Sequence, residues 1–204
     1  LWHFDLQYII NAFAFTWFDK AIEQAKKAEA KYAKPNEEIR PLDGLPVAVK
    51  DQPDIKGQPM TMGSLYLKNN VSTETDFAIQ RLLDAGAIVH ARTTTGEFCC
   101  SGVADSKIHG TTHTPWKIGY TCGGSSGGSG ASLAVGSSPL ATGSDIGGSI
   151  RIPAACCGVV GYKPPYGRNP GCSAVHFDMY AVMGPMTRTV SDAAMMQNIL
   201  CGPH

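Results

Sequence analysis

Residues 122–164 read CGGSSGGSGASLAVGSSPLATGSDIGGSIRIPAACCGVVGYKP, and this stretch decides which fold the chain can adopt. Residues 123–130 consist only of Gly and Ser, a composition that is typical of flexible linkers. Small apolar residues follow directly, however, and a second glycine-rich turn, DIGGS, occupies residues 145–149. A linker would separate two independently periodic segments, which is not the pattern here. From these residues alone, a linker and a tight functional loop both remain open.

The flanking segments alternate between strand and helix patterns. Strand patterns occupy residues 45–49, 87–91, 139–145 and 159–164. Helix patterns occupy residues 21–33, 76–85, 131–136 and 186–200, and residues 149–158 predict a helix or a turn. Gly86 is a helix stop signal, and Thr189 or Ser191 can cap the last helix. This alternation predicts an α/β fold in which helices cover a sheet.

Composition restricts the function classes. The chain has 204 residues, of which 43% are apolar and 17% charged, as in globular proteins. Lys and Arg number 17, as do Asp and Glu, so there is no basic excess to attract phosphates and we predict no nucleic-acid contact by this segment. The apolar residues 1–15 are shorter than the about 20 that a membrane span needs and lack a basic leader, so we expect neither a span nor a signal peptide.

The seven cysteines show no C-x-x-C pair, which is unlike the spacing of a zinc site or a secreted disulfide framework. We therefore predict small buried hydrophobic side chains in a reducing cytoplasm, with no metal and no cofactor.

If the Gly/Ser run is a functional loop, three chemistries compete. Phosphate binding is disfavoured because no G-K-[ST] follows the run. A nucleophile elbow, G-x-S-x-G, fits residues 123–127 with Ser125 as nucleophile, and it needs a downstream histidine, His176 or His204. The third chemistry uses two serines and a lysine, because a serine hydroxyl is a poor nucleophile until a base takes its proton.

Lys50 ends the apolar strand pattern at residues 45–49. A lysine can act as the base if burial lowers its pKa, whereas an isolated lysine at a strand end is ordinarily solvated. The turn at residues 145–149 can supply the complementary electrophilic group. If a helix begins there, the amides of Ile146, Gly147, Gly148 and Ser149 could hold a developing oxyanion, each worth about 3–4 kcal/mol. A plain tight turn is the simpler interpretation of DIGGS alone.

Taken together, these segments resemble the amidase signature family. The resemblance covers about residues 10–200. It rests on LPVAVKD (45–51), the long Gly/Ser signature within 119–165, GRNPG (167–171) and VMGPMTRTVSDAA (182–194), together with INAF (10–13) and ARTTTGEF (91–98). The resemblance implies a mixed β-sheet with helices on both faces. It also implies that residues 1–204 are a partial amidase domain, incomplete on its C-terminal side, which alone would expose unpaired strand edges and be poorly soluble or inactive.

The resemblance also implies roles for individual residues. Ser149 would be the acylated nucleophile, Ser125 the bridging serine that follows a cis peptide bond, and Lys50 the base. The amides of residues 146–149 would form the oxyanion hole. The residues that brace this site through hydrogen bonds would be Ser126, Asp145 and Arg151.

The predicted activity is hydrolysis of a small-molecule carboxylic amide to an acid and ammonia or an amine, through an acyl-enzyme on Ser149. One alternative is the glutaminase component of a tRNA-dependent amidotransferase. A second is an α/β-hydrolase-like esterase that uses Ser125 and a histidine, and a third is a non-catalytic module linked by the Gly/Ser run. We expect a cytoplasmic protein without cofactor or membrane contact, and a homodimer is left open.

Overall fold

The computed structural model describes residues 9–171 and 178–203, and a six-stranded mixed sheet forms its centre. The strands in chain order are β1 (Phe13–Thr16), β2 (Pro46–Lys50), β3 (Ile88–Thr93), β4 (Asp105–Ser106), β5 (Gly110–Thr111), β6 (Leu140–Asp145), β7 (Val160–Gly161) and β8 (Val182–Thr187). The order across the sheet is β1-β3-β2-β6-β8-β7, and β4 and β5 form a separate ribbon. Strand β2 runs parallel to β3 and β6, and the other pairs are antiparallel.

Helices cover both faces of this sheet. The α-helices in chain order are α1 (Phe18–Tyr32), α2 (Phe77–Asp84), α3 (Gly127–Ala134), α4 (Arg151–Cys157) and α5 (Val190–Leu200). Short 3₁₀ helices occupy Leu65–Leu67 and Glu97–Cys99. Among the described residues, no helix combines the length and apolar character needed to cross a membrane.

Strand β2 shows how the sheet separates two apolar layers. Val47 and Val49 belong to a buried cluster that includes side chains of α2 and α5. Ala48, between them, belongs to a second buried cluster that includes side chains of α3 and α4. Because side chains alternate across a strand, Lys50 lies on the same face as Ala48, towards α3. The predicted α/β fold, with a mixed sheet and helices on both faces, is confirmed.

Most of the predicted elements are present with shifted ends. The first helix begins three residues earlier than predicted, at Phe18, and strand β3 extends to Thr93. Helix α2 has Asp76 as its N-cap, whose side chain accepts a hydrogen bond from the Ala78 amide. Of the two candidate caps for α5, Thr189 is the one used, because its hydroxyl accepts from the Asp192 amide.

The prediction of one helix over residues 186–200 is wrong at its start. Residues 186 and 187 end strand β8, and the helix begins at Val190. Strand β8 escaped prediction because Gly184 and Pro185 stand at its centre, and both residue types are depleted in strands. The strand predicted over residues 159–164 is reduced to β7, and the four-residue β1 was not predicted.

The Gly/Ser run is not a linker. Residues 127–133 form buried turns of α3, and a Cβ on Gly128 would lie 2.5 Å from the Thr94 amide nitrogen. The glycines therefore permit close packing of a helix against β3, which contradicts the interpretation as a linked module. The prediction of buried thiols holds for Cys122 and Cys157 and is wrong for Cys100 and Cys156, which are exposed.

Candidate active site

Lys50 is a fully buried lysine at the C-terminal end of β2. Its Nζ atom lies 2.7 Å from the Ser125 Oγ and 2.8 Å from the Ser144 Oγ. Burial lowers the pKa of Lys50 below its ordinary value, while Cys99, Asp145 and Asp51 act in the opposite direction. An amine in this position can lose its proton more readily than a solvated lysine.

Ser125 is fully buried just before α3, and the peptide bond between Gly124 and Ser125 is cis. Gly124 packs against the backbone of Val103, where a Cβ would lie 2.6 Å from the Val103 amide nitrogen. The backbone can therefore take this path only with glycine at position 124. The result is a hydroxyl held against the Lys50 amine.

Ser149 lies in the loop between β6 and α4, half-buried and lining the same cavity as Ser125. Strands β2 and β6 are parallel neighbours, so Lys50 and this loop emerge at the same edge of the sheet. Among the described residues, no hydrogen bond is formed by the Ser149 hydroxyl. The structure thus places Ser125 and Ser149 in the lining of one cavity, and Lys50 lies behind it in direct contact with Ser125.

The four predicted oxyanion amides differ in their surroundings. The Gly148 amide already donates to the Asp145 carboxylate at 2.8 Å. Within the described residues, the amides of Ile146, Gly147 and Ser149 donate to no protein acceptor. Ile146 and Gly147 are also exposed at the mouth of the loop. The amides of Ile146, Gly147 and Ser149 can thus donate to the oxygen of a bound substrate, whereas the Gly148 amide holds the loop through Asp145.

The Asp145 side chain accepts the hydrogen bonds that shape this loop. Besides Gly148, its carboxylate accepts from the Ile150 amide at 3.1 Å and from two Arg151 guanidinium nitrogens at 3.0 and 2.9 Å. Burial alone would raise the pKa of Asp145, but the bonds from Arg151 and the backbone amides lower it below its usual value. Asp145 therefore remains a carboxylate and fixes the start of α4.

Ser126 joins the two serine loops. Its hydroxyl accepts from the Ser144 amide at 3.2 Å and donates to the Ser144 carbonyl at 3.3 Å. Its own amide donates to the Ser149 carbonyl at 3.1 Å. Ser126 and Asp145 thus form hydrogen bonds within the two serine loops, and Arg151 bonds to Asp145. That these three residues brace a catalytic site stays a prediction.

A second buried cluster lies directly behind the lysine. The Asp51 carboxylate accepts from the Thr61 amide at 2.9 Å and from the Thr61 hydroxyl. Arg92 is fully buried with a nitrogen 3.9 Å from Asp51, and it donates to the Pro53 carbonyl at 2.6 Å. Burial lowers the pKa of Arg92 to about 10. These contacts fix the chain as it leaves β2, and no pattern in the sequence indicates them apart from the position of Asp51.

Sequence reasoning also missed Ser144 and Gln52. The Ser144 hydroxyl is the second partner of the Lys50 amine, and it donates to the Gln52 Oε1. Ser144 precedes Asp145 in the signature, and Gln52 follows Lys50 by two positions. Their nearness in sequence to predicted residues was the only available signal.

The cavity at this edge has a volume of about 170 Å³. Ser125, Ser144 and Ser149 line its polar side, and Met62, Phe98, Val182 and Met183 line an apolar side. Such a cavity can hold a small acyl group with its carbonyl carbon near the serines.

The esterase alternative needs a histidine beside Ser125. Both predicted candidates, His176 and His204, lie outside the described residues. In the part of the chain that the structure describes, no histidine bonds to Ser125: His90 lies 3.0 Å from the Ser138 Oγ and His109 lies 3.0 Å from the Thr61 Oγ1.

The sequence matches one family model and many curated proteins. The family described as Amidase matches residues 5–204. The acylamidase of Rhodococcus erythropolis is 41% identical over 184 residues, covering 90% of this chain and 38% of that protein. A glutamyl-tRNA(Gln) amidotransferase subunit of Methanosarcina acetivorans is 39% identical over 194 residues, covering 95% of this chain and 40% of that protein. The chain spans about 40% of the length of these curated relatives.

Solved structures share the fold. A bacterial aryl acylamidase, described as one of the amidase signature enzymes, matches with a TM-score of 0.90 and 32% identity, covering 97% of this chain and 42% of that one. The peptide amidase of Stenotrophomonas maltophilia matches with a TM-score of 0.86 and 30% identity, covering 96% and 41%. Because the family match spans nearly the whole chain and the fold agrees, this chain belongs to the Amidase family, that of the amidase signature enzymes.

Proposed function

We propose that this chain carries the nucleophile and the proton relay of a serine hydrolase that cleaves carboxylic amide C–N bonds. The observation that carries the proposal is the 2.7 Å contact between the buried Lys50 amine and the Ser125 hydroxyl, in a cavity that Ser149 lines. A buried amine with a lowered pKa is a suitable base, and a hydroxyl beside it can pass protons. The names of the matched relatives, acylamidase and peptide amidase, support an amide substrate.

In the proposed reaction, the Ser149 oxygen attacks the amide carbonyl carbon. The Ser149 proton passes to the Ser125 oxygen while the Ser125 proton passes to the neutral Lys50 amine. Ser125 then donates one proton to the leaving nitrogen, since an amine anion leaves poorly, and recovers a proton from Lys50, so the amine is neutral again and an acyl-enzyme remains on Ser149. Water then attacks the acyl carbon along the same relay and releases the acid.

The oxyanion of each tetrahedral intermediate would bind at the amides of Ile146, Gly147 and Ser149. These amides have no protein acceptor within the described residues, so they can donate to a substrate oxygen without first breaking a bond. In this proposal the Gly148 amide has a bracing role, because Asp145 already occupies it.

Labelling with an alkyl fluorophosphonate followed by peptide mapping tests the proposal. We expect the label on Ser149 and its loss in Ser149→Ala, because an activated serine oxygen displaces fluoride from phosphorus. Label on Ser125 with Ser149→Ala still modified would contradict the proposal and favour the esterase alternative.

The glutaminase component of an amidotransferase is a second candidate, because the matched relatives include subunits of glutamyl-tRNA(Gln) amidotransferases. It shares the proposed serine chemistry and differs in the fate of the ammonia. Turnover of free amides by the purified protein, without a partner or ATP, favours the plain amidase. A homodimer and a cytoplasmic location remain predictions.

A further inference from the structure

The Lys50 amine has two hydroxyl neighbours, although the proposed relay uses only one of them. Ser125 Oγ lies 2.7 Å from Nζ and Ser144 Oγ lies 2.8 Å from it. Both serines line the cavity. Some feature of the site must therefore make Lys50 accept a proton from Ser125 and not from Ser144, which lies at nearly the same distance from the nitrogen.

Counting protons shows why this matters. A neutral lysine amine has two N–H donors and one lone pair, and a serine hydroxyl can either donate or accept. The relay works only if the lone pair accepts the Ser125 proton. If Ser144 donated to that lone pair instead, the amine would be blocked and Ser125 would have no base.

Gln52 removes this ambiguity. The Ser144 hydroxyl donates to the Gln52 Oε1, and a carbonyl oxygen can only accept. The single Ser144 proton is thus directed away from Lys50, so only lone pairs of Ser144 face the amine. Ser144 must then accept an N–H of Lys50, which leaves the lysine lone pair for Ser125.

We propose that Gln52 and Ser144 are positioning residues that turn the Lys50 lone pair towards Ser125. The inference rests on the proposed function and adds the direction of each hydrogen bond around the base. The order of donation is Ser125 to Lys50, Lys50 to Ser144, and Ser144 to Gln52. Neither positioning residue exchanges a proton with substrate.

Three further groups act on the amine: Cys99 through a hydrogen bond and charge, and Asp145 and Asp51 through charge alone. A neutral amine has two N–H donors, so Cys99 can accept the one that Ser144 does not, and the lone pair still faces Ser125. Cys99 faces Lys50 from the 3₁₀ helix Glu97–Cys99, Asp145 from the end of β6 and Asp51 from the adjacent position in the chain. All three favour the protonated amine, so the pH at which the relay becomes active depends on them as well as on burial.

Two substitutions of similar size at Gln52 distinguish an effect on hydrogen-bond direction from an effect on side-chain packing. Gln52→Glu keeps an oxygen acceptor for Ser144, and Gln52→Leu removes it. The measurement is the second-order rate constant for fluorophosphonate labelling of Ser149, taken in the full chain between about pH 6 and pH 10. Gln80→Leu, at an exposed glutamine of α2 outside the cavity, is the matched control.

We expect Gln52→Leu to lower the high-pH plateau about tenfold, because the freed Ser144 hydroxyl can donate to the lysine lone pair. Gln52→Glu should hold the plateau within about twofold and move the midpoint to higher pH, since a nearby negative charge favours the ammonium form. Equal losses in both variants would overturn the proposal, since a packing role does not depend on an acceptor.

The double variant Gln52→Leu/Ser144→Ala gives an independent readout. Removing the misdirected hydroxyl should restore labelling several-fold over Gln52→Leu alone, whereas a lost structural contact would give no recovery. If Ser149→Ala abolishes labelling but Gln52→Leu labels like Gln80→Leu, the proposed function stands and only the hydrogen-bond direction fails. If Ser149→Ala still labels at the wild-type rate, the proposed function itself fails.

Discussion

Lys50 is an ionisable side chain with no exposed surface, whereas an ordinary lysine keeps its amine in water. Burial lowers its pKa, so the fraction of neutral amine rises at a lower pH than the ordinary lysine value of about 10.4 implies. We expect the labelling rate of Ser149 to rise with pH and level off below that value. In Lys50→Met this rise should disappear and the plateau should fall by about 10²–10⁴-fold. An unchanged pH profile in Lys50→Met would remove the amine from the relay.

Asp145 and Arg151 form an ion pair, but we expect their substitutions to affect Ser149 labelling to different extents. Asp145 is buried and accepts from several loop amides, whereas over half of the Arg151 side chain is exposed. Solvent screening weakens the contribution of such an exposed partner. We expect Asp145→Asn to slow Ser149 labelling at least tenfold more than Arg151→Gln does, because a lost carboxylate releases the loop. Equal effects of the two substitutions would mean that the ion pair, and not the loop amides, holds the site.

Helix α3 begins in the Gly/Ser run, where glycine is needed because the helix packs closely against the backbone of neighbouring segments. A Cβ on Gly128 would lie 2.5 Å from the Thr94 nitrogen, whereas a Cβ on Gly102 would meet no atom within 4 Å. We expect Gly128→Ala to lower the free energy of unfolding by about 1–3 kcal/mol or to prevent folding, because overpacked sites cannot relax. Gly102→Ala should change it by less than about 0.5 kcal/mol. Urea unfolding of both variants gives the comparison, and equal stability would contradict the packing role.

Which elements could be predicted depended on whether their residues carried a local signal. Strand β2 and Lys50 were predictable because an apolar run ends at a lysine, and the two serine turns because glycines flank them. Strand β8 was missed because its Gly184-Pro185 centre contradicts strand propensity, and only pairing with β6 on one side and β7 on the other defines it. The contact between Ser144 and Gln52 depends on how β6 lies beside β2, which no local pattern contains.

For the molecule as a whole, the site concentrates buried ionisable side chains that packing alone would not select. Lys50 at the end of β2, Asp51 directly after it and Arg92 in β3 are all fully buried, and Arg92 lies 3.9 Å from Asp51. A buried ion pair such as Arg92–Asp51 rarely stabilises a fold more than apolar side chains of similar volume, and a buried neutral lysine amine is also costly. We infer that the molecule retains them for chemistry, at a cost in stability that depends on pH.

For Lys50 the direction in which the free energy of unfolding changes with pH can be worked out. Its pKa is lowered in the folded state, so between that value and the unfolded value of about 10.4 the unfolded chain binds a proton that the folded chain does not. Within this window the free energy of unfolding rises with pH, by up to about 1.4 kcal/mol per pH unit. Lys50→Met lacks this proton, so we expect the stability of the wild type relative to the variant to increase from neutral pH towards pH 10. Urea unfolding at several pH values measures this difference, and Lys20→Met, at an exposed lysine of α1, is the matched control. A difference that stays constant with pH would mean that the buried amine keeps its proton, and it could not then be the base.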